Sequence, residues 1–155
     1  MPYRDPGSYR RPRGRIAFVN RVVARLAALG LTPKNTISLE VPGRRTGRVR
    51  RTSLVVAELG GCRYLVSLAG ESEWVRNVRA NGSRASLRRL RSNPVYLAEI
   101  PVEERPAVLK AYLSKRAYSK SPEFEAREFF GVSADATPAQ LAESASRYPV
   151  FRIEQ

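Results

Sequence analysis

TISLEVPGRRTGRVRRTSLVVAELGGCRYLVSL, residues 36–68, is the stretch that decides the fold. Three runs within it, 36–41, 52–59 and 63–68, alternate apolar and polar residues and are rich in β-branched side chains, so they read as consecutive strands. Gly60-Gly61 supplies the hairpin between the second and third. The first and second are joined by residues 43–51, where five arginines and two glycines occupy nine positions. Glycine permits the positive φ of a tight turn, so successive backbone N–H groups can converge on one spot while guanidinium forks surround it. Arginine matches a phosphate or carboxylate with two parallel hydrogen bonds and is always charged. On the segment alone two readings stand: an anion clamp for a phosphate, or a basic hairpin turn left in water.

Outward from this stretch, Ser72 is placed to cap a helix over 72–80 that contains Glu73, Trp74, Val75, Asn77 and Val78 and stops at Asn81-Gly82. Two further strands follow at 85–90 and 95–100, around a turn at 91–94. Pro101 suits the first position of a helix running to about residue 115, with Glu103 and Glu104 at its head and lysines toward its tail. Residues 117–136 read as irregular and carry Phe124, Phe129 and Phe130; a short helix from Thr137 or Pro138 to Arg147 and a closing strand over 148–153 complete the chain. On the other side, Ile16, Val19, Val22, Val23, Leu26 and Leu29 recur at helical spacing, with Gly30 as a stop. Arg21 and Arg25 lie on the opposite side of that helix, which can dock on the core or lie on an anionic membrane. Residues 1–14 read as a mobile basic arm, and 15–155 as one domain. The expected class is α+β: a small, mostly antiparallel barrel of five or six strands with an N-terminal amphipathic helix and peripheral helices.

Of 155 residues, 28 are basic, 24 of them arginine, against 14 acidic; the formal charge is +14 and the pI near 11.0, so the partner is expected to be anionic. The sequence has no histidine and one cysteine, Cys62, which excludes an intrachain disulfide framework, a zinc cluster and a Ser-His or Cys-His pair. An enzyme of this composition borrows its reactive atoms from a cofactor. No apolar run approaches the ~18 residues of a membrane span, and a cytoplasmic location is the expectation. The arginines are spread along the chain without interleaved aromatics, which argues against specific nucleic-acid binding.

The run Gly43-Arg44-Arg45-Thr46-Gly47-Arg48-Val49-Arg50, then Gly70, then Trp74-Val75-Arg76-Asn77-Val78-Arg79-Ala80-Asn81 resembles the deazaflavin-dependent nitroreductase family of split β-barrel (FMN-binding-like) proteins that use coenzyme F420. Residues 148–152 resemble that family's closing strand and 20–30 its lead-in helix. The resemblance implies hydride transfer from reduced F420 to a quinone, an activated C=C bond or a nitro compound. It assigns the coenzyme phosphate to Arg44, Arg45, Thr46 and Arg50, counts Gly47 among the cofactor-binding residues, and gives the glutamyl tail to Arg48 and other surface arginines. The deazaflavin ring would be flanked by Ser53, Leu54 and Val55 and by Ser67, Leu68, Ala69 and Gly70, with Trp74 and Asn77 shaping the wall. Ser53 stands where many relatives have proline. Tyr64, Tyr118 and Tyr148 are candidate proton donors, although core or rim packing is the preferred reading of each, and no catalytic residue or metal ligand is assigned. Glu71 and Glu73 read as solvated loop acids. Two alternatives are a split barrel that binds FMN or a lipid-like ligand without deazaflavin chemistry, and a nonspecific binder of anionic polymers or membrane surfaces. A homodimer is a fold-level expectation.

Overall fold

Six antiparallel strands close on themselves in the order β1-β2-β3-β6-β5-β4 in the computed structural model, which describes residues 35–114, 131–133 and 135–155 together with Val22, Arg25, Leu26 and Leu29. The strands are β1 (Thr36–Pro42), β2 (Val49–Leu59), β3 (Cys62–Val66), β4 (Arg84–Arg88), β5 (Ser92–Glu99) and β6 (Val150–Glu154). Between them lie helices α1 (Glu73–Ala80), α2 (Arg105–Ser114) and α3 (Pro138–Ala145), with a 3-10 turn at Val102–Glu104. The last strand in sequence enters between β3 and β5, setting Leu65 opposite Phe151 and Leu97 opposite Ile153, and β1 meets β4 at Leu39 and Leu87 to close the ring.

Period-two alternation decides which side chains fill the barrel. Ile37, Leu39 and Val41 of β1 point inward with Val56, Leu65, Leu87, Leu97 and Phe151. One end is stoppered by α1, whose Trp74, Val75 and Val78 join this core; the Trp74 and Phe151 rings lie 5.4 Å apart at a tilt of 56°. On the outer side of β2 and β3, Val55, Ala57 and Val66 carry a second core formed with Val108, Leu109 and Tyr112 of α2 and Leu141 and Ala145 of α3. Each large aliphatic side chain buried this way contributes about 1.5–3 kcal/mol.

The helical layer is fastened by one cation. Buried Arg105 donates to the carbonyl oxygens of Ile100, Ala145 and Tyr148, each at 3.3 Å, and so ties the end of β5 to the end of α3. Burial lowers its pKa, with Glu99 opposing the shift. Thr137 and Gln140 form a reciprocal capping box at the start of α3.

Several boundaries differ from the sequence expectations. β2 begins at Val49 rather than at 52, because Arg50 and Arg51 already pair with Val41 and Glu40. The β4–β5 turn falls at 89–91, and Pro94 lies within β5 opposite Ser86. Its missing N–H is tolerated because β5 pairs with β6 only from Tyr96 onward, so Pro94 borders an unpaired edge. Pro101 precedes a 3-10 turn and the α-helix starts at Arg105. β3 ends at Val66, not at 68. The arm at 1–14, most of the helix at 15–29, Tyr118 and the Phe124, Phe129 and Phe130 cluster lie outside the described residues. Among the described residues no helix is long and apolar enough to cross a membrane.

Candidate functional site

The arginine-rich segment forms a tight turn at the α1 end of the barrel. Gly43 N–H donates to the Arg48 carbonyl at 2.8 Å, and the N–H groups of Thr46 and Gly47 donate back to the Gly43 carbonyl at 3.2 and 2.8 Å. Gly47 adopts φ +67°, the left-handed region that glycine enters without strain. Gly43 is buried, and a Cβ there would sit 3.3 Å from the Arg48 carbonyl oxygen, Arg50 Nε and Thr46 Oγ1 alike. Arg48 N–H reaches Thr46 Oγ1 at 3.4 Å. The amides of Gly43, Thr46, Gly47 and Arg48 are therefore engaged within the turn, and its side chains add donors for an anion.

The turn is docked on α1. Asn77, almost fully buried, accepts the Arg44 backbone N–H at 3.1 Å and the Arg44 guanidinium at 3.2 Å through the same Oδ1. Glu73, one helical turn earlier on the same face, takes that guanidinium at 2.7 Å and raises its pKa further. Glu71 and Glu73 are thus ion-pair partners rather than solvated loop acids: Glu71 meets Arg79, which also binds Glu99, and Glu99 leads on to Arg105. The hydrogen bonds from Glu99 and Glu71 hold Arg79 firmly protonated.

Arg45, Arg48 and Arg50 differ from Arg44. All three are exposed, and among the described residues none makes a salt bridge or a side-chain hydrogen bond. The turn thus presents three uncompensated guanidinium groups and the Thr46 hydroxyl on a frame fixed by Gly43, Gly47 and Asn77. This donor set suits a phosphate or a polycarboxylate.

Arg44, Arg45, Thr46, Gly47, Arg50 and Asn77 come together at this end of the barrel, whereas the remaining sequence-predicted residues divide. Ser67 and Gly70 form the loop into α1, where the Ser67 hydroxyl donates to the Gly70 carbonyl at 2.6 Å and lies 3.0 Å from Ser72 Oγ. Ser72 occupies the helix N-cap without bonding the helix amides. Ala69 is exposed, and Leu68 packs beside the α2–α3 core. Ser53 and Val55 lie on the outer phase of β2, where they face Ser38 and Thr36 across the ladder. Leu54 belongs to the inner phase and Trp74 to the barrel core. Of the candidate proton donors, Tyr148 is buried in the α2–α3 core; Tyr64 is half-buried, and desolvation raises its pKa. Glu73 was not expected to touch the turn, although its spacing of four from Asn77 was the available signal.

A family model described as F420H(2)-dependent quinone reductase matches residues 13–128. A search of the curated proteins finds no match. Among solved structures, an F420-H2 dependent reductase (FDR-A) is 21% identical, covering 78% of this chain and 95% of that one at a TM-score of 0.46. A domain-swapped dimer is 18% identical, with 89% and 95% covered at 0.48. The protein Atu2129, of unknown function, from Agrobacterium tumefaciens str. C58 is 15% identical at 0.50; the match covers 93% of this chain and 56% of that one. At such identity the last of these speaks to the fold alone.

Proposed function

This chain belongs to the F420H(2)-dependent quinone reductase family, and we propose that it reduces a small electrophile, a quinone, an activated C=C bond or a nitro compound, at the expense of reduced coenzyme F420. It is an oxidoreductase and F420 is its cofactor. The observation that carries the coenzyme-binding part of this reading is the division of labour in the turn: Arg44 is consumed by Glu73 and Asn77, while Arg45, Arg48 and Arg50 keep their donors available on a fixed frame. The coenzyme is an elongated polyanion, with a phosphate and glutamyl carboxylates, and this donor set fits it.

In this reading Arg45, Arg50 and the Thr46 hydroxyl hold the phosphate, and Arg48 steers the glutamyl tail. Arg44 and Asn77 position the turn without touching the anion. Ser53 and Val55 on the outer phase of β2, with the loop 67–70, border the ring end. When bound, the coenzyme supplies a hydride; the protein's own share is to hold it, orient it and keep the acceptor close. Without histidine, the proton that accompanies the hydride comes from water or from a phenol such as Tyr64.

Titration with oxidised F420, followed by the coenzyme's own fluorescence, tests the reading. Arg50→Ala and Arg45→Ala should each weaken binding about tenfold or more, the loss of a charge-assisted hydrogen bond of roughly 1.5–3 kcal/mol. Turnover with menadione, an enone and a nitroaromatic compound then identifies the acceptor class. A folded double variant that binds F420 as tightly as the parent would refute the site, and tighter binding of FMN than of F420 would favour the flavin alternative. A cytoplasmic location and a homodimer belong to the same reading; light scattering on the purified protein checks the second. Co-sedimentation with anionic vesicles at physiological salt checks whether the basic arm adds membrane contact.

A further inference from the structure

The barrel's two ends are unlike. One is stoppered by Trp74, Val75 and Val78, whereas at the other the described residues leave a cavity of about 190 Å³. Along β1, Ile37 at this open end is five residues from Pro42 at the turn, about 16 Å, so the cavity is remote from the arginine-rich turn.

Its construction follows from strand phase. Among the inward side chains, Leu39, Leu65 and Leu97 have no exposed surface, but Ile37, Val56, Leu87 and Val95 keep 5–8%. These four form the floor. One further step along the same inward phase, the alternation that should give apolar residues turns polar on every strand, placing Asn35, Glu58, Arg63, Arg89, Asn93 and Gln155 around the opening. Arg88 completes the rim, which thus carries three guanidinium groups beside the Glu58 carboxylate. Arg89 donates to the Thr36 carbonyl at 3.0 Å and Arg88 lies 3.6 Å from Glu40. Arg63 has no ion pair and no side-chain hydrogen bond among the described residues, although Glu58 stands directly across the ladder from it.

We propose that this end of the barrel binds a small amphipathic monocarboxylate, its acid group on Arg63 and its hydrocarbon body against Ile37, Val56, Leu87 and Val95. An aliphatic floor beneath a cationic rim suits a ligand with both a hydrocarbon body and an acid group: a bare inorganic anion would leave the floor unfilled, and a neutral hydrocarbon would gain nothing from Arg63. The volume is that of about six water molecules, and the closed layer of Leu39, Leu65 and Leu97 beneath stops a long chain from entering. Short branched or single-ring acids satisfy all three limits.

Methyl NMR of the full-length protein, titrated with benzoate, isovalerate and the neutral isostere benzamide, tests this directly. Saturable shifts are expected at the methyls of Ile37, Val56, Leu87 and Val95, with an affinity on the order of 0.1–1 mM for so few heavy atoms. Benzamide should bind at least fivefold more weakly than benzoate. Arg63→Gln should abolish that preference, Arg63→Lys should retain part of it, and neither should change the affinity for F420. The proposal is overturned if these methyls do not respond, if benzamide binds as well as benzoate, or if Arg63→Gln keeps the preference. Because F420 affinity is read separately, none of these results bears on the coenzyme site.

Discussion

Replacing Asn77 by alanine isolates the joint between the turn and α1. In the parent, one Oδ1 atom accepts the Arg44 backbone N–H at 3.1 Å and the Arg44 guanidinium at 3.2 Å. The guanidinium keeps Glu73 in the variant, so its loss is small. The backbone N–H has no substitute acceptor inside the docked turn, and a partly buried donor left unsatisfied costs about 1–3 kcal/mol. Taking about 2 kcal/mol, a chain of this size should melt roughly 4–8 °C lower. The turn should also lose its fixed orientation, so F420 affinity should fall severalfold even though no coenzyme contact has been removed. Asn77→Asp keeps an acceptor in place but sets a second carboxylate beside Glu73; it should recover most of the stability lost in the alanine variant. Thermal unfolding by circular dichroism and fluorescence titration with F420 read the two consequences independently. If Asn77→Ala melts with the parent and binds F420 equally well, the turn is held by something other than this joint and the positioning role of Asn77 is wrong.

Ser38 Oγ is fully buried with no hydrogen-bond partner among the described residues, so Ser38→Ala should raise stability by about 1 kcal/mol; a lower melting temperature would mean that the hydroxyl is bonded after all. Arg105→Met strips three carbonyl oxygens of their donor and should cost roughly 3 kcal/mol or more in urea unfolding, a loss absent if water replaces the guanidinium. Burial raises the Tyr64 pKa above its ordinary value, so the neutral phenol is favoured in the folded state. That contribution is complete below the unfolded value of about 10 and disappears as pH rises through the folded value. Tyr64→Phe should therefore flatten the alkaline decline in stability, seen as a smaller loss of melting temperature above pH ~10; an unchanged decline would assign it to other groups.

The barrel was legible because its determinants are local. Alternation in 36–41, 52–59 and 63–68 has period two, Gly60-Gly61 can form little else than a hairpin, and Thr137 with Gln140 is a capping box written in four residues. Closure was less legible, because the position of β6 between β3 and β5 depends on pairings such as Leu65 with Phe151, far apart in sequence. Pro94 misled the β4–β5 turn for a similar reason: whether proline breaks a strand depends on which neighbour is missing at that rung, and local sequence does not say. At the site, residue types were readable but their partners were not. Arg44, Arg45, Arg48 and Arg50 look equivalent in the sequence, and the distinction between them comes from a helix that begins some thirty residues later.

That distinction changes what the excess of positive charge means. The chain carries +14 overall, yet at this end of the barrel carboxylates are set against particular arginines: Glu73 against Arg44, and Glu71 and Glu99 against Arg79. Each such pair removes a cation from the field that a polyanion senses and spends it on geometry. Arg45, Arg48 and Arg50, in the same turn as Arg44, make no ion pair among the described residues. A surface attracting anions indiscriminately would gain nothing from neutralising its own arginines and docking the turn on a buried asparagine, whereas a site that must hold one anion in one orientation gains from both. Affinity for F420 should consequently depend on which arginine is removed far more than on how many. Arg45→Ala or Arg50→Ala should weaken it more than a Lys110→Ala, Arg147→Ala double variant that removes twice the charge elsewhere on the chain, and equal losses would return the turn to the status of a nonspecific basic patch.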